Sequence, residues 1–478
     1  MQYVTDYMPG GTVGRLLSQG IATMKWVALA FLTSLLLAPA AAFAQVAISD
    51  PADKQVVEAF LKHVQRVPEQ LTAEQCRQYV TKSVEDYTWI VLPYLDMTLT
   101  AYQVTGDARY LGMFVGVFAN MRSAMTQGPD GFLGWYGTPN TIFQNPDNPT
   151  KPIDVIINSF RATDVLSQFV ETVQRDPALS RRYARQRQEY LDLIENHLVR
   201  KWDVRGNYVD LGPTGGIYRT HFGLKFDKAS LTQPHNKHSI IIRAFLALYR
   251  ATGNDEYMRK AVKVGTRYKH CLTLKDGHYE WHYWDPAGAW DVKPQQTSRW
   301  KHWIGVEHKG GYYSSSLSQA VALYQHGVVF DRTDMERFLK TQLEMCWNGD
   351  LANPKWARVD GTVSEQYMQG EYMCSALAPF SPRIVEFVYG QGAVANRLEN
   401  AGHPWQGGPV ANGWIGGKLM SLPLAQGGRQ AYASFGQAFL SKPENSRFAQ
   451  SLAFQVTGEG YKAPEVPRQM ESMPPEPR

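Results

Sequence analysis

Residues Tyr102–Tyr110 read YQVTGDARY, and residues Tyr249–Tyr257 read YRATGNDEY. Each stretch opens on Tyr, passes through Thr-Gly and then Asp or Asn, and closes on Tyr. A Gly just past the last helical turn supplies the left-handed residue that ends a helix. Asp107 or Asn254 then offers an oxygen to the free N–H groups of the next one. Both stretches are therefore tight corners between two helices. A corner that recurs predicts an array of αα-hairpins, stacked as a superhelix or closed as a toroid.

The hydrophobic period agrees. Apolar residues recur at three- and four-residue spacing over 56–67, 73–104, 109–125, 153–173, 180–199, 240–250, 256–271, 314–326, 335–346 and 382–398. Aromatic-rich connections separate them: GFLGWYG (131–137), GNYVDLGPTGGIYRTHFG (206–223) and DGHYEWHYWDPAGAW (276–290). In the last, His278, Glu280 and His282 alternate with Tyr279, Trp281 and Tyr283, the pattern of a hairpin strand. Too little strand-like sequence follows Phe380 for an appended β domain. The expected fold is all-α: an (α/α)n toroid, an incomplete barrel of helical hairpins with aromatic-rich loops and short β-hairpins.

Three segments are expected along the chain. Residues 1–44 form an N-terminal extension and a secretory signal, because MKWVALAFLTSLLLAPAAAFA (24–44) has a basic start, an apolar core and a small-residue end. Met24 is a candidate start. Residues 45–458 form one toroid domain, and the Pro- and Glu-rich 459–478 a disordered tail. This places the protein in the periplasm or outside the cell, with no membrane span and as a monomer. The four cysteines include no C-x-x-C, so no zinc knuckle or redox motif is read; disulfides and buried thiols stay equally open. Net charge is +5, or +4 without Asp6, Arg15 and Lys25, too mild for a nucleic-acid partner but suited to an acidic ligand.

Two segments concentrate chemistry. TQPHNKHSIIIRAF (232–245) opens a helix on His235, Asn236, Lys237 and His238, with Thr232 as the expected N-cap. Cations favour the opposite end of a helix, so this cluster is arranged to meet an anion. Arg243, seven residues after Asn236, shares its face. SRWKHWIGVEHKGGYYSSSLSQAVALY (298–324) gathers Arg299, His302, Glu307, His308, Tyr312 and Tyr313 around a Gly-Gly bend. Neither this segment nor His278/Glu280/His282 has the spacing of a zinc-protease motif, and no metal is assigned. Glycoside hydrolysis needs two carboxylates flanking the bond; Asp154, Asp164, Asp285 and Glu307 are available, with no pair marked by context.

HNKHS, followed downstream by EHKGGYYSSSLSQAVALY, resembles the Asn/His and Tyr segments of (α/α)-toroid polysaccharide lyases, most nearly the alginate and glucuronan lyases of polysaccharide lyase family 38. The resemblance implies β-elimination on a uronic-acid polymer, without a cofactor. Asn236 and an arginine, Arg299 or Arg243, would neutralise the carboxylate. His238 (or His235) and Tyr313 (or Tyr312) would move the protons; the face of Tyr313, Leu317, Ala320 and Tyr324 is expected to point toward the toroid centre, with that of Tyr312, Ser316 and Gln319 its rival. His235, Lys237, Arg243, Tyr312, His308, Tyr218, Arg219, His221, Arg161, Asn158 and Trp135 make up the expected substrate-binding set. Two other readings stand beside it: a glycoside hydrolase on the same toroid acting on oligosaccharides, and a non-catalytic periplasmic glycan-binding protein.

Overall fold

The computed structural model describes residues 51–139, 144, 148, 150–221, 228–294, 296–307, 310–363, 374–384, 414–415, 418–419, 430–460 and 462. All belong to the unit Gln45–Arg478. The leader, His308, nearly all of the tail and the 382–398 stretch beyond Ile384 lie outside the described residues.

The fold is an all-α toroid of helical hairpins. After α1 (Pro51–Gln65) and α2 (Ala73–Lys82), four hairpins follow. They are α3 (Pro93–Thr105) with α4 (Arg109–Arg122), α5 (Ile156–Gln174) with α6 (Ala184–Leu193), α7 (His235–Thr252) with α8 (Asp255–His270), and α9 (Gly310–Gln325) with α10 (Arg332–Lys340). The first member of each hairpin belongs to an inner row, in which α7 packs between α5 and α9. Strands are confined, among the described residues, to short antiparallel pairs in the connections.

The two corners form as the sequence requires. Gly106 and Gly253 are left-handed at φ 69° and 72°, and their N–H groups close back on Tyr102 and Tyr249. A Cβ at either would meet nothing within 4 Å, so glycine is needed for its backbone alone. The Asn254 carboxamide accepts from the N–H of Glu256, and Asp107 Oδ1 from that of Arg109. Across the hairpins, Phe114 stacks on Phe169 at 4.6 Å and meets Tyr190, while Phe160, Tyr218 and Phe245 form an edge-on cluster. Burial of such rings drives the packing, at ~25 cal/mol per Å2 of apolar surface.

Two local expectations are corrected. The 73–104 stretch is not one helix: Ser83 turns to extended backbone, Tyr87–Val91 forms a π-type turn, and Pro93 starts α3. Thr232 does not cap α7. Its N–H and hydroxyl both donate to Asp291, at 2.8 Å each, and Pro234 takes the N-cap position. All four cysteines are buried free thiols.

Candidate functional site: a charged lumen

Along α5, Arg161, Asp164, Gln168, Glu171 and Arg175 recur at spacings of three and four, so they share one face. On α7, Ile240, Arg243, Ala247 and Arg250 do the same. Asp164 and Arg243 are each the ninth residue of their helix, and Glu171 and Arg250 each the sixteenth. These pairs meet at 3.2 Å and 2.9 Å. The two helices therefore run parallel and in register, and their charged stripes form one ladder. On the third neighbour, α9, the matching wall is small and polar: Ser318 bonds Ser239 of α7 at 3.0 Å, and Ser315 reaches the carbonyl of Asn236.

The ladder has a closed end and an open end. Toward the helix C-termini, Glu171 pairs with Arg250 and Arg175, and Arg250 Nη1 donates to His326 Nε2 at 3.0 Å. His326 Nδ1–H donates to the Ala322 carbonyl at 2.7 Å. Burial, then the charge of Arg250, pushes this imidazole down to about 3. Tyr432 covers the group, stacked on His326 and lying over the Arg250 guanidinium. This end is a sealed, structural floor.

The open end holds Asp96 from α3, Arg161 and Asp164 from α5, and Arg243 from α7. One guanidinium joins the two carboxylates: Arg161 Nη2 pairs with Asp96 and Nη1 lies 3.6 Å from Asp164. Gln168 donates to Asp164 Oδ1 at 2.8 Å. Asp164 Oδ2, although near two arginines, receives no well-directed hydrogen bond. The side chains of Asp96 and Arg243 keep 28% and 32% of their surface in solvent, whereas Asp164 keeps 3%. The surrounding protein raises the Asp96 carboxyl above its ordinary range; Arg161 opposes this and Asp164 adds to it. At the rim, Lys237 reaches Glu85 at 3.3 Å, and the half-exposed Tyr312 lies against Tyr283.

The expected site residues divide between this lumen and the core. Arg161 and Arg243 are in the ladder, with Lys237 and Tyr312 at its rim. Asn158 is fully buried, its amide donating to the Val84 carbonyl at 2.8 Å and its oxygen accepting from Thr88. Trp135 is fully buried, donating to the Met121 carbonyl. Tyr218 is buried with its hydroxyl on Asp203, and Arg219 donates to the Gly206 carbonyl beside Trp290. His221 is held down to about 4 by burial and then by Arg205. Arg299 is exposed on the strand Gln296–Trp300.

The proton-moving trio is not displayed to a groove. His238 is buried and its Nε2 accepts the N–H of Tyr218 at 3.0 Å. Burial, then His235, pushes it down to about 3. Asn236 is 3% exposed. Tyr313, the tyrosine expected to face the lumen, is 1% exposed and near Gln342, while Tyr312 is 38% exposed. The face shared by Tyr313, Leu317, Ala320 and Tyr324 is core, so the expected orientation of the pair is reversed.

Of the four carboxylates noted in the sequence, only Asp164 belongs to the charged ladder. Asp154 is sealed by Lys201 at 2.6 Å and Arg205 at 3.0 Å. Glu307 is fully buried. Asp285 is clamped between His235 Nε2 at 3.0 Å and His282 Nδ1 at 2.7 Å. His278 and Glu280 pair on the hairpin at 3.3 Å, but His282 turns away to Asp285, so the expected His278/Glu280/His282 face does not form. Instead His235, Cys271 and Asp285 bring potential ligand atoms within 4.8 Å of one another. A cavity of about 700 Å3 lies elsewhere, lined by Asp210, Lys263, His270, Arg447 and Phe454. Its lysine is already spent on Asp210 and the Gly212 carbonyl, so it offers less chemistry than the lumen.

Fold and site together define an (α/α)-toroid protein with paired acids in its lumen. No protein-family model matches the chain, and no curated protein does. Solved structures similar to it include the GH76A alpha-1,6-mannanase of Salegentibacter sp. HEL1_6, at 13% identity and a TM-score of 0.39, covering 80% of this chain and 99% of that one. An inactive variant of that enzyme in complex with alpha-1,6-mannotriose matches at 14% identity and a TM-score of 0.38, with the same coverage. Those two proteins are glycoside hydrolases by name. The resemblance to polysaccharide lyase family 38 is corrected by where this chain places the residues that carried it. The β-elimination reading, with alginate or glucuronan as substrate, is withdrawn. The physical reason is what these groups do here: His238 Nε2 is occupied by the Tyr218 N–H, and Tyr313 lies with Leu317, Ala320 and Tyr324 on the core face of its helix. No residue role carries over from the mannanase: its inactive variant replaces two consecutive aspartates, and this sequence contains no Asp-Asp.

Proposed function

We propose that the protein is an exported glycoside hydrolase acting on a neutral oligosaccharide, with Asp96 and Asp164 as its carboxylate pair. The observation that carries this reading is the sharing of Arg161 by two carboxylates at the open end of the lumen. Hydrolysis of a glycosidic bond requires two carboxyl groups in unlike environments. Asp96, raised by its surroundings, is suited to hold a proton and deliver it to the departing oxygen. Asp164, oriented by Gln168, Arg161 and Arg243, takes the opposite role: it receives the proton of the water that adds to the anomeric carbon. The C–O bond breaks, the proton from Asp96 goes to the leaving sugar, and water supplies the new hydroxyl.

Charge favours a neutral substrate. Among the described residues of the open end, Arg161 and Arg243 are matched one for one by Asp96 and Asp164, a balance that suits an uncharged sugar. A panel of neutral oligosaccharides, alpha-1,6-mannotriose among them, incubated with wild type, Asp96→Asn and Asp164→Asn, tests the reading. Release of reducing ends by wild type and its loss in both variants is expected. Binding without cleavage would favour a glycan-binding protein instead.

A further inference from the structure

The α7–α8 hairpin places two chemically unlike side chains together at its far end. His235 opens α7 and Cys271 follows α8, and each is eighteen residues from Gly253 at the corner. An antiparallel hairpin with equal arms must bring them to the same level. The segment after the hairpin strand His278–Glu280 then carries Asp285 between them. His235 Nε2 stands 3.0 Å from Asp285 Oδ2, and the Cys271 thiol lies with them inside a 4.8 Å group. All three are buried, at 4%, 1% and 2% exposure. The rings of Tyr268 and Trp281 lie alongside, Tyr268 at 5.0 Å from His235.

We propose that His235, Cys271 and Asp285 bind a single zinc ion that pins the open end of the α7–α8 hairpin to the 278–286 connection. Thiolate, imidazole and carboxylate are the three side-chain types that zinc takes, at ~2.0–2.3 Å. Ligands that far from one metal stand within ~4 Å of each other; the His235–Asp285 pair is already at 3.0 Å, and the group, within 4.8 Å, closes by about 1 Å to grip the ion. The charges also close. One thiolate and one carboxylate neutralise a dication, so the assembled site buries no net charge.

The second layer is in place. Asp285 Oδ1, the oxygen turned away from His235, is bonded to His282 Nδ1 at 2.7 Å. A partner of this kind fixes the orientation of a ligating group and tunes its basicity. Arg267, whose guanidinium donates to the Pro286 carbonyl at 2.8 Å, braces the segment that carries Asp285. The site is remote in role from Asp96 and Asp164, and nothing in it depends on the hydrolase reading.

The test uses the exported full-length chain, stripped with a chelator and titrated with Co2+, which reports a thiolate ligand through a near-ultraviolet charge-transfer band. Wild type should bind one equivalent and show the band. Cys346→Ser, altering another buried free thiol, should behave the same. Cys271→Ser should lose the band, and His282→Gln should weaken binding by roughly 10–100-fold, as loss of an outer-shell partner does. Sub-stoichiometric uptake by wild type, binding without the band, or a band that survives Cys271→Ser would each overturn the proposal. The wild-type titration decides the matter even if Cys271→Ser does not fold. In that outcome His235, Asp285 and His282 are a hydrogen-bonded network and no more.

Discussion

Asp164 and Arg243 lie 3.2 Å apart because each is the ninth residue of its helix, on neighbouring helices that run the same way. The repeat of that relationship two turns later, between Glu171 and Arg250, makes a ladder whose lower rung is sealed and whose upper rung meets solvent. Stability and chemistry are therefore separated along one pair of helices.

The lower rung should be structural. Glu171→Ala leaves the buried Arg250 guanidinium without its carboxylate, and breaking such a pair costs ~3–5 kcal/mol. Denaturant unfolding should show that loss, with glycan binding by the remaining folded protein unchanged.

The upper rung should be chemical. Asp96→Asn and Asp164→Asn should each lower kcat by at least the ~10²-fold typical of a lost general acid or base. Because the Asp96 carboxyl is raised, the wild-type rate should fall as pH rises through its titration. Rates for Asp96→Asn should lack that limb. A limb that persists in the variant would remove Asp96 from the acid role.

Much of the architecture is legible in the sequence. The Thr-Gly corners at Gly106 and Gly253 form with the left-handed geometry and side-chain caps their sequence requires. Local chemistry decides such turns, so a short stretch suffices to read them. The lumen was harder. Asp96 is a lone acid within an apolar helix, and Arg161, Asp164, Gln168 and Glu171 interrupt another at helical spacing; both signals were present in the sequence. What it lacked was the register between α5 and α7, which only tertiary packing sets. The same limit reversed Tyr312 and Tyr313: successive helix residues point about 100° apart, and which one faces the core depends on the neighbour.

That reversal is measurable. Tyr313→Ala should cost ~3–5 kcal/mol, as large aromatic truncations in a core do, by leaving a cavity. Tyr312→Ala should leave unfolding within about 0.5 kcal/mol, the range for surface changes, and act on KM through the rim.

Acid should unfold the protein partly through Asp285. Burial works to raise this carboxyl, but hydrogen bonds from His235 and His282 outweigh it and hold it down to about 2, against an ordinary 3.8. A depressed carboxyl contributes stability that is present above 3.8 and lost as pH falls through about 2. On metal-free protein, Asp285→Asn should flatten the stability profile across that window.

Export has its own check. Intact mass of protein recovered from outside the cytoplasm should correspond to a chain beginning near Gln45, after the small-residue end of the leader. A retained Met24 leader would contradict it.

The central claim is that water, delivered between Asp96 and Asp164, ends up in the product. Digesting a panel of neutral oligosaccharides in 18O-labelled water and weighing the fragments tests it directly. Each new reducing end released by wild type should carry one labelled oxygen, and Asp96→Asn should release none. Fragments that are unlabelled, or no cleavage of any glycan in the panel, would contradict it.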